Sequence, residues 1–286
     1  MKNQVVVWQS AGSDGLIEQL EKAADNAGTD PHNQKSGVFT GSSLNISGVA
    51  LRSLRIQSHP SVSEKIRIKA IFEDRSEFDR LRVSEGDTIE ITQIPDAQSG
   101  GGTSFNNVFG NVFNNVVINN IVSVDGRIVS GSSSGSGRSK PATLVLLIIV
   151  PPGCPLTIDA SGSTDIEIGD VGGAMELELT GKNRVSIETA ASLSLEIGGL
   201  GTVSVGSVTG DLRVEQTGKA SVDVQAGDVD KLNLNLSGQG NFSFGGTAKR
   251  ASINASGMCN VQINRVTEKL KTNGSGMCTI SVTHKP

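Results

Sequence analysis

The stretch LTIDASGSTDIEI (156–168) decides the fold, because its pattern returns six times: MELELTGKNRVSI (175–187), LSLEIGGLGTVSV (193–205), LRVEQTGKASVDV (212–224), LNLNLSGQGNFSF (232–244), ASINASGMCNVQI (251–263) and LKTNGSGMCTISV (270–282). The central glycine recurs at Gly162, Gly181, Gly199, Gly218, Gly238, Gly257 and Gly276, in steps of 19, 18, 19, 20, 19 and 19 residues. Around it apolar and polar residues alternate. Leu156 and Ile158 stand six and four residues before the first glycine, and Ile166 and Ile168 stand four and six after it. The same offsets carry Leu193, Leu195, Val203 and Val205, then Leu212, Val214, Val222 and Val224, and weaken only at Leu270 and Thr272. Period-2 alternation belongs to strands, so each copy predicts two short strands turned at the glycine, apolar side chains inward. Self-similarity at a fixed period without helical spacing predicts an all-β chain: a parallel β-solenoid whose C-terminal half holds about seven regular coils of about 19 residues. At ~3.3 Å per residue the perimeter is about 60 Å. Such a thin section is filled by aliphatic side chains, which fits 3% aromatic residues with no Tyr and one Trp.

Stacking turns repeat positions into columns. Ser161, Thr180, Gly198, Thr217, Ser237, Ser256 and Ser275 precede the glycines, small residues suited to a turn. Three residues before the glycines runs an outward column of Asp159, Glu178, Glu196, Glu215, Asn235, Asn254 and Asn273. Its Asn half predicts an amide ladder. Its acidic half stacks like charges ~5 Å apart, which costs stability. Arg184 and Arg213, on neighbouring columns, are placed to relieve it. Two readings stay open for this column: a solvated face, or an outer-face binding site. A calcium site is not expected, because six to eight oxygens must converge on a point, whereas a stacked column spreads its carboxylates along a line.

The chain of 286 residues divides into a 1–42 arm or cap, a strand-rich start over 43–95, a Gly/Ser/Asn-rich insertion over 96–140 and the regular solenoid over 141–286. In the arm, Ser13 or Asp14 caps a short predicted helix with Leu16, Ile17, Leu20, Ala23 and Ala24 on one face, a cover for an open solenoid end. Over 43–95 alternation returns at Leu44/Ile46, Leu54/Ile56, Ile66/Ile68 and Ile89/Ile91, interrupted by a helix-like Ser76–Leu81. Within the insertion, residues 105–116 are compatible with a helix but composed of poor helix formers, so strands are favoured, and Ile121 to Val129 predicts a hairpin turned at Asp125–Gly126. Seven consecutive apolar residues, Leu144–Val150, predict a strand covered on both faces, with the 105–129 segment the candidate cover; it ends at Pro151 and Pro152.

A net charge of −4, with scattered basic residues, argues against nucleic acid as a partner. Cys154, Cys259 and Cys278 lack the spacing of a zinc site and are too few for a disulfide scaffold. Cys259 and Cys278 nevertheless occupy one repeat position and should stack ~5 Å apart as free thiols, within disulfide reach in an oxidising environment. No cofactor or metal is expected. MKNQVVVWQS is too short in apolar length for a secretory signal, and no run approaches a membrane span, so the sequence as written is expected in the cytoplasm.

The coils with Ser–Gly or Thr–Gly corners, LTIDASGSTDIEIG, LNLNLSGQGNFSFG and INASGMCNVQIN, resemble the auto-transporter adhesin head GIN domain, a bacterial family of unknown function, over about 44–94 and 141–283. The resemblance implies a β-solenoid, a cell-surface or extracellular location, and adhesion through a surface glycan or protein. It supplies no catalytic residues.

Nothing in the residues themselves requires catalysis. The three histidines, His32, His59 and His284, lie outside the repeat, and no nucleophile elbow, P-loop or metalloprotease motif occurs. Solenoid carbohydrate-active enzymes place carboxylates in an exterior groove, and Glu178, Glu196 and Glu215 with Arg213 are the one such cluster, but without an aromatic platform. The leading readings are therefore an adhesin-like binding solenoid and an intracellular scaffold self-associating through its ends. The last coil, with Ile280 and Val282, is the candidate self-association surface, predicted to form a homo-oligomer.

Overall fold

The computed structural model describes residues 34–60, 62, 65–72, 80–93, 117–118, 121–124, 127–130 and 144–286. The chain forms two units, 1–94 with 141–286, and 95–140. The predicted helix near residues 14–28, the 105–116 segment and residues 73–79 lie outside the described residues. Leu81, expected to close a helix-like stretch, instead opens a strand.

The regular part is the predicted solenoid. Strands β11 (Leu156–Asp170) and β12 (Ala174–Ala190) pair in parallel from Leu156↔Met175 to Asp170↔Thr189. The strands β13 (Ser192–Ile197), β14 (Leu200–Val208), β15 (Leu212–Gln216), β16 (Lys219–Gly276) and β17 (Thr279–His284) continue the stack, each parallel to its neighbour. Pairing does not stop at most corners as a strand-turn-strand reading implies. It runs through Gly162↔Gly181, and β16 alone passes two corner glycines, Gly238 and Gly257, before ending at Gly276. All the paired inward columns read from the sequence are buried from Leu156 through Ile263, and Val282 in the last coil is 8% exposed. Each such side chain contributes about 1.5–3 kcal/mol by leaving water. A third inward column, Val171, Ala190, Val208, Val229, Ala248 and Val266, is also buried. It was not read from the sequence, because its offset from the glycine drifts by up to two residues.

The N-terminal strands are β1 (Gln34–Thr40), β2 (Ser43–Val49), β3 (Leu51–Ser58), β4 (Lys65–Ile71), β5 (Leu81–Ser84) and β6 (Thr88–Gln93). β2 and β3 make one coil, stacked in parallel on the two flanks of β11. Beyond them lie β6, parallel to β2, and β10 (Leu144–Val150), parallel to β3. Stacking therefore departs from chain order: β10 precedes β11 in sequence but sits one coil further out, with the β2–β3 coil between them. β6 and β10 are the two flanks of one coil, separated in the chain by residues 94–143. Parallel stacking ends here, since β4 pairs antiparallel with β10, β1 with β4, and β5 with β6. The apolar run in β10 is explained by its position: Leu144, Leu146, Ile148 and Val150 face the main core, while Leu147 packs with Ile71 and Val145 in a second cluster.

In the other unit, β7 (Val117–Ile118), β8 (Ile121–Val124) and β9 (Arg127–Ser130) form an antiparallel sheet. β8 and β9 pair from Ile121↔Ser130 to Val124↔Arg127, leaving a two-residue connection at 125–126.

Candidate functional site: the outer columns

The corners hold every outward column in place. Gly181 has φ +92°, and a Cβ there would lie 2.3 Å from the Gly162 carbonyl oxygen. The glycines thus stack backbone on backbone, and a side chain would force the coils apart. From inside, Thr164 donates to the Leu51 carbonyl at 2.9 Å, Asn183 to the Thr180 carbonyl at 2.9 Å, and Gln216 to the Gln239 carbonyl at 3.0 Å. These are the buried polar side chains among the described residues, and they satisfy backbone carbonyls released where the chain bends. Sequence reading passed over them because polar residues at inward positions break the alternation. From outside, Ser237 donates to the Gln216 carbonyl at 3.3 Å and Ser256 to the Leu236 carbonyl at 3.5 Å, so these two members of the small-residue column tie their corners to the previous coil.

The structure brings the candidate column together. Asp159↔Glu178, Glu178↔Glu196, Glu196↔Glu215 and Glu215↔Asn235 are register partners on successive strands. In the amide half Asn254 Nδ2 donates to Asn235 Oδ1 at 3.0 Å, and Asn235 Nδ2 donates to Glu215 Oε1 at 3.4 Å. Arg213 reaches along its own strand to pair with Glu215. Arg184 does not join this column. It lies past the corner, in register with Asp165 and Thr202. At the other end Asp159 is half-buried; burial holds its carboxyl above the usual range, partly offset by a hydrogen bond from the Gly48 backbone. Among the described residues no three His, Cys, Asp or Glu side chains converge as a metal ion requires.

A further group of ion pairs lies on the edge where one coil passes to the next. Lys231 meets Asp211 at 3.3 Å, Lys249 meets Asp230 at 2.6 Å, and Arg250 meets Glu268 at 3.9 Å. The hydrogen bond and charge of Lys249 hold the Asp230 carboxyl low, and Asp230 in turn holds the Lys249 amine high. These pairs are solvent-facing, and they gather charge away from the glycine corners.

The profile of the family described as "Putative auto-transporter adhesin, head GIN domain" matches residues 77–286. The chain belongs to this family. The match begins at residue 77, later than the resemblance from residue 44, and runs through the insertion. No curated protein matches the chain. Among solved structures, a "putative adhesin" from Bacteroides fragilis NCTC 9343 is 10% identical, with a TM-score of 0.42, 88% of this chain and 97% of that one covered. A "putative cell adhesion protein" from Clostridium sporogenes ATCC 15579 is 12% identical, with a TM-score of 0.36 and coverage of 85% and 100%. A "putative adhesin" from Parabacteroides merdae ATCC 43184 is 8% identical, with a TM-score of 0.37 and coverage of 90% and 98%.

In this GIN domain two of the cysteines occupy one repeat position in the last coils. Cys259 is buried and Cys278 half-buried, and both are free thiols. Their sulfurs sit over the corner carbonyls of Gly238 at 3.8 Å and Gly257 at 3.6 Å. Burial, with a hydrogen bond and charge from Cys278, pushes the Cys259 thiol up to about 11. Burial alone pushes Cys154 to about 11 as well. No helix among the described residues is long and apolar enough to cross a membrane.

Proposed function

We propose that this adhesin-like β-solenoid is non-catalytic and mediates surface adhesion, holding a protein or glycan against the outer column Asp159–Glu178–Glu196–Glu215–Asn235–Asn254–Asn273. The observation that carries this is the cross-coil ladder: Asn254 bonds to Asn235 and Asn235 to Glu215, so the polar groups are presented at a fixed spacing by a backbone that cannot shift. Preorganised donors and acceptors cost little further ordering when a partner docks. Against catalysis, Arg213 is engaged by Glu215, and the column carboxylates lie in a line on the outer face with no aromatic wall among the described residues. Binding of labelled protein to bacterial and host cell surfaces tests the reading. Saturable binding weakened by Asn235→Ala with Asn254→Ala supports it, and absence of binding to every surface refutes it.

Self-association is proposed as a second property, on a separate observation. Among the described residues β17 is paired on one side only, by β16, and Ile280 is half-buried. An unpaired strand edge templates another. A closed tail-to-tail dimer is expected by light scattering at high micromolar concentration, weakened by Val282→Lys. A monomer unaffected by that change removes the idea.

A further inference from the structure

The outward surface changes character along the solenoid. In the first four coils the segments spanning the glycine corner are DASGSTDIE (159–167), ELTGKNRVS (178–186), EIGGLGTVS (196–204) and EQTGKASVD (215–223), each with at least one charge. In the last three they are NLSGQGNFS (235–243), NASGMCNVQ (254–262) and NGSGMCTIS (273–281), with no Asp, Glu, Lys, Arg or His. Alternate residues of these segments point outward, and every outward one is exposed or half-buried. All are Asn, Ser, Gln or Thr except Met258 and Met277, which are 44% and 73% exposed and occupy the same corner position on successive coils. The ion pairs of these coils are displaced to the far edge, at Lys249–Asp230 and Arg250–Glu268. A soluble sheet face ordinarily carries charges of both signs, which also guard against edge and face association. Here an entire ridge, bent around three glycine corners, has none.

The chemistry of the ridge narrows its partner. An acidic polysaccharide, a nucleic acid or a phosphorylated group needs Lys or Arg, and the ridge has neither. A stable protein interface needs a core of aromatic or aliphatic anchors, and two methionines on a bed of amides and hydroxyls do not supply one. A neutral sugar chain fits both properties. Each of its hydroxyls donates and accepts, as each ridge amide and hydroxyl does, and its uncharged groups are desolvated at modest cost. Its ring C–H faces take the flexible thioether side chains. Strands ~4.8 Å apart and ~3.3 Å per residue along each give a grid about 10 Å wide and about 26 Å long measured along the chain, room for a few sugar rings. Several ridge groups are already fixed: Asn254 bonds to Asn235, and Asn264, at the ridge margin, donates to the Gly245 carbonyl at 3.0 Å.

We infer that the charge-free ridge of the last three coils is a docking surface for a neutral glycan. This rests on the adhesive reading and narrows it to one partner class and one end of the outer column. The experiment is biolayer interferometry of the full chain against immobilised dextran, mannan and β-1,3-glucan, with heparin and alginate as acidic counterparts. The expected result is binding to at least one neutral polymer, insensitive to salt. About a tenfold loss is expected on Asn241→Lys or Gln262→Lys, since each buries an unpaired ammonium under the sugar. Thr202→Lys, on the same flank but outside the ridge, should leave binding unchanged. Both ridge positions are solvent-facing, so an unaltered melting temperature shows that the variants fold. Binding only to acidic polymers, binding that survives both ridge variants, or no binding to any neutral polymer overturns the inference. The cell-binding assay separates the two readings: cell binding retained without neutral-glycan binding sinks the ridge proposal alone, whereas no cell binding sinks the adhesive reading itself.

Discussion

Replacing Gly199 by alanine tests whether the corners are held by backbone stacking or by glycine's conformational freedom. The φ of Gly199 lies outside the left-handed region, yet a Cβ there would sit 2.1 Å from the Gly181 carbonyl oxygen and 2.6 Å from its nitrogen. Ordinary carbon–oxygen contact is about 3.2 Å, so the coils must part by roughly 1 Å at this corner. The neighbouring Gly198 N–H to Leu179 carbonyl bond, at 2.9 Å, would stretch beyond hydrogen-bond length. The Lys219 N–H to Gly199 carbonyl bond on the other side, also 2.9 Å, would be disturbed as Gly199 moves. Leaving such groups unsatisfied costs about 1–3 kcal/mol each, so Gly199→Ala should cost about 3–5 kcal/mol. Gly162 is the natural comparison. Its φ is +95°, but a Cβ there meets nothing within 4 Å, so Gly162→Ala pays only backbone strain, about 1–3 kcal/mol. Urea unfolding followed by far-ultraviolet circular dichroism reads both. With a slope of about 1–3 kcal/mol per molar urea, Gly199→Ala should lower the midpoint by roughly 1 M or more, and by more than Gly162→Ala. If Gly162→Ala proves equally or more damaging, the close-approach argument fails.

Leu195, 1% exposed in the middle of the stack, should not tolerate a charge: Leu195→Asp is expected to cost several kcal/mol, and unchanged thermal unfolding would show the inward assignment wrong. The thiols of Cys259 and Cys278 should survive in a reducing buffer and pair when the folded protein is equilibrated with oxidised glutathione, slowly because the Cys259 thiol is held up near 11; mass analysis finding two free thiols after full oxidation would leave only the stacking. Asp159 gives a pH signature. Its folded pKa lies above the ordinary 3.8, so its contribution favours the fold at low pH and is lost as pH rises through the folded value. Asp159→Asn should therefore raise the melting temperature at neutral pH and lose that advantage near pH 3, and an equal gain at both would refute the assignment.

Much of the fold was legible because a solenoid repeats its instructions. Period-2 alternation at Leu193, Leu195, Val203 and Val205 sets which side chains face inward, and a recurrence of about 19 residues sets which strands are neighbours. The same recurrence put Asp159 through Asn273 into one column and Asn235 beside Asn254, so the candidate site was visible as a list of equivalent positions. Which column member finds which partner was less so: Arg213 does meet Glu215, while Arg184 falls beyond the corner, beside Asp165.

What the sequence alone determined, then, is the coil and its inward faces. Outside the repeat that information stops. Alternation in 43–94 shows that Leu44, Ile46, Leu54 and Ile56 point inward but not which strand lies next to them, because strand pairing is a contact between segments distant in the chain and alternation is a local signal. Tertiary structure decided that β10 lies outside the β2–β3 coil, that the far edge turns antiparallel through β4 and β5, and that Leu147 has a second apolar layer to pack against. It also decided the corners. Thr164, Asn183 and Gln216 look misplaced as inward polar residues until the bending backbone shows the carbonyls they satisfy. The charge-free ridge is of the same kind: three neutral segments, each unremarked alone, become one surface only when the coils are stacked and the glycines bend them around a common edge.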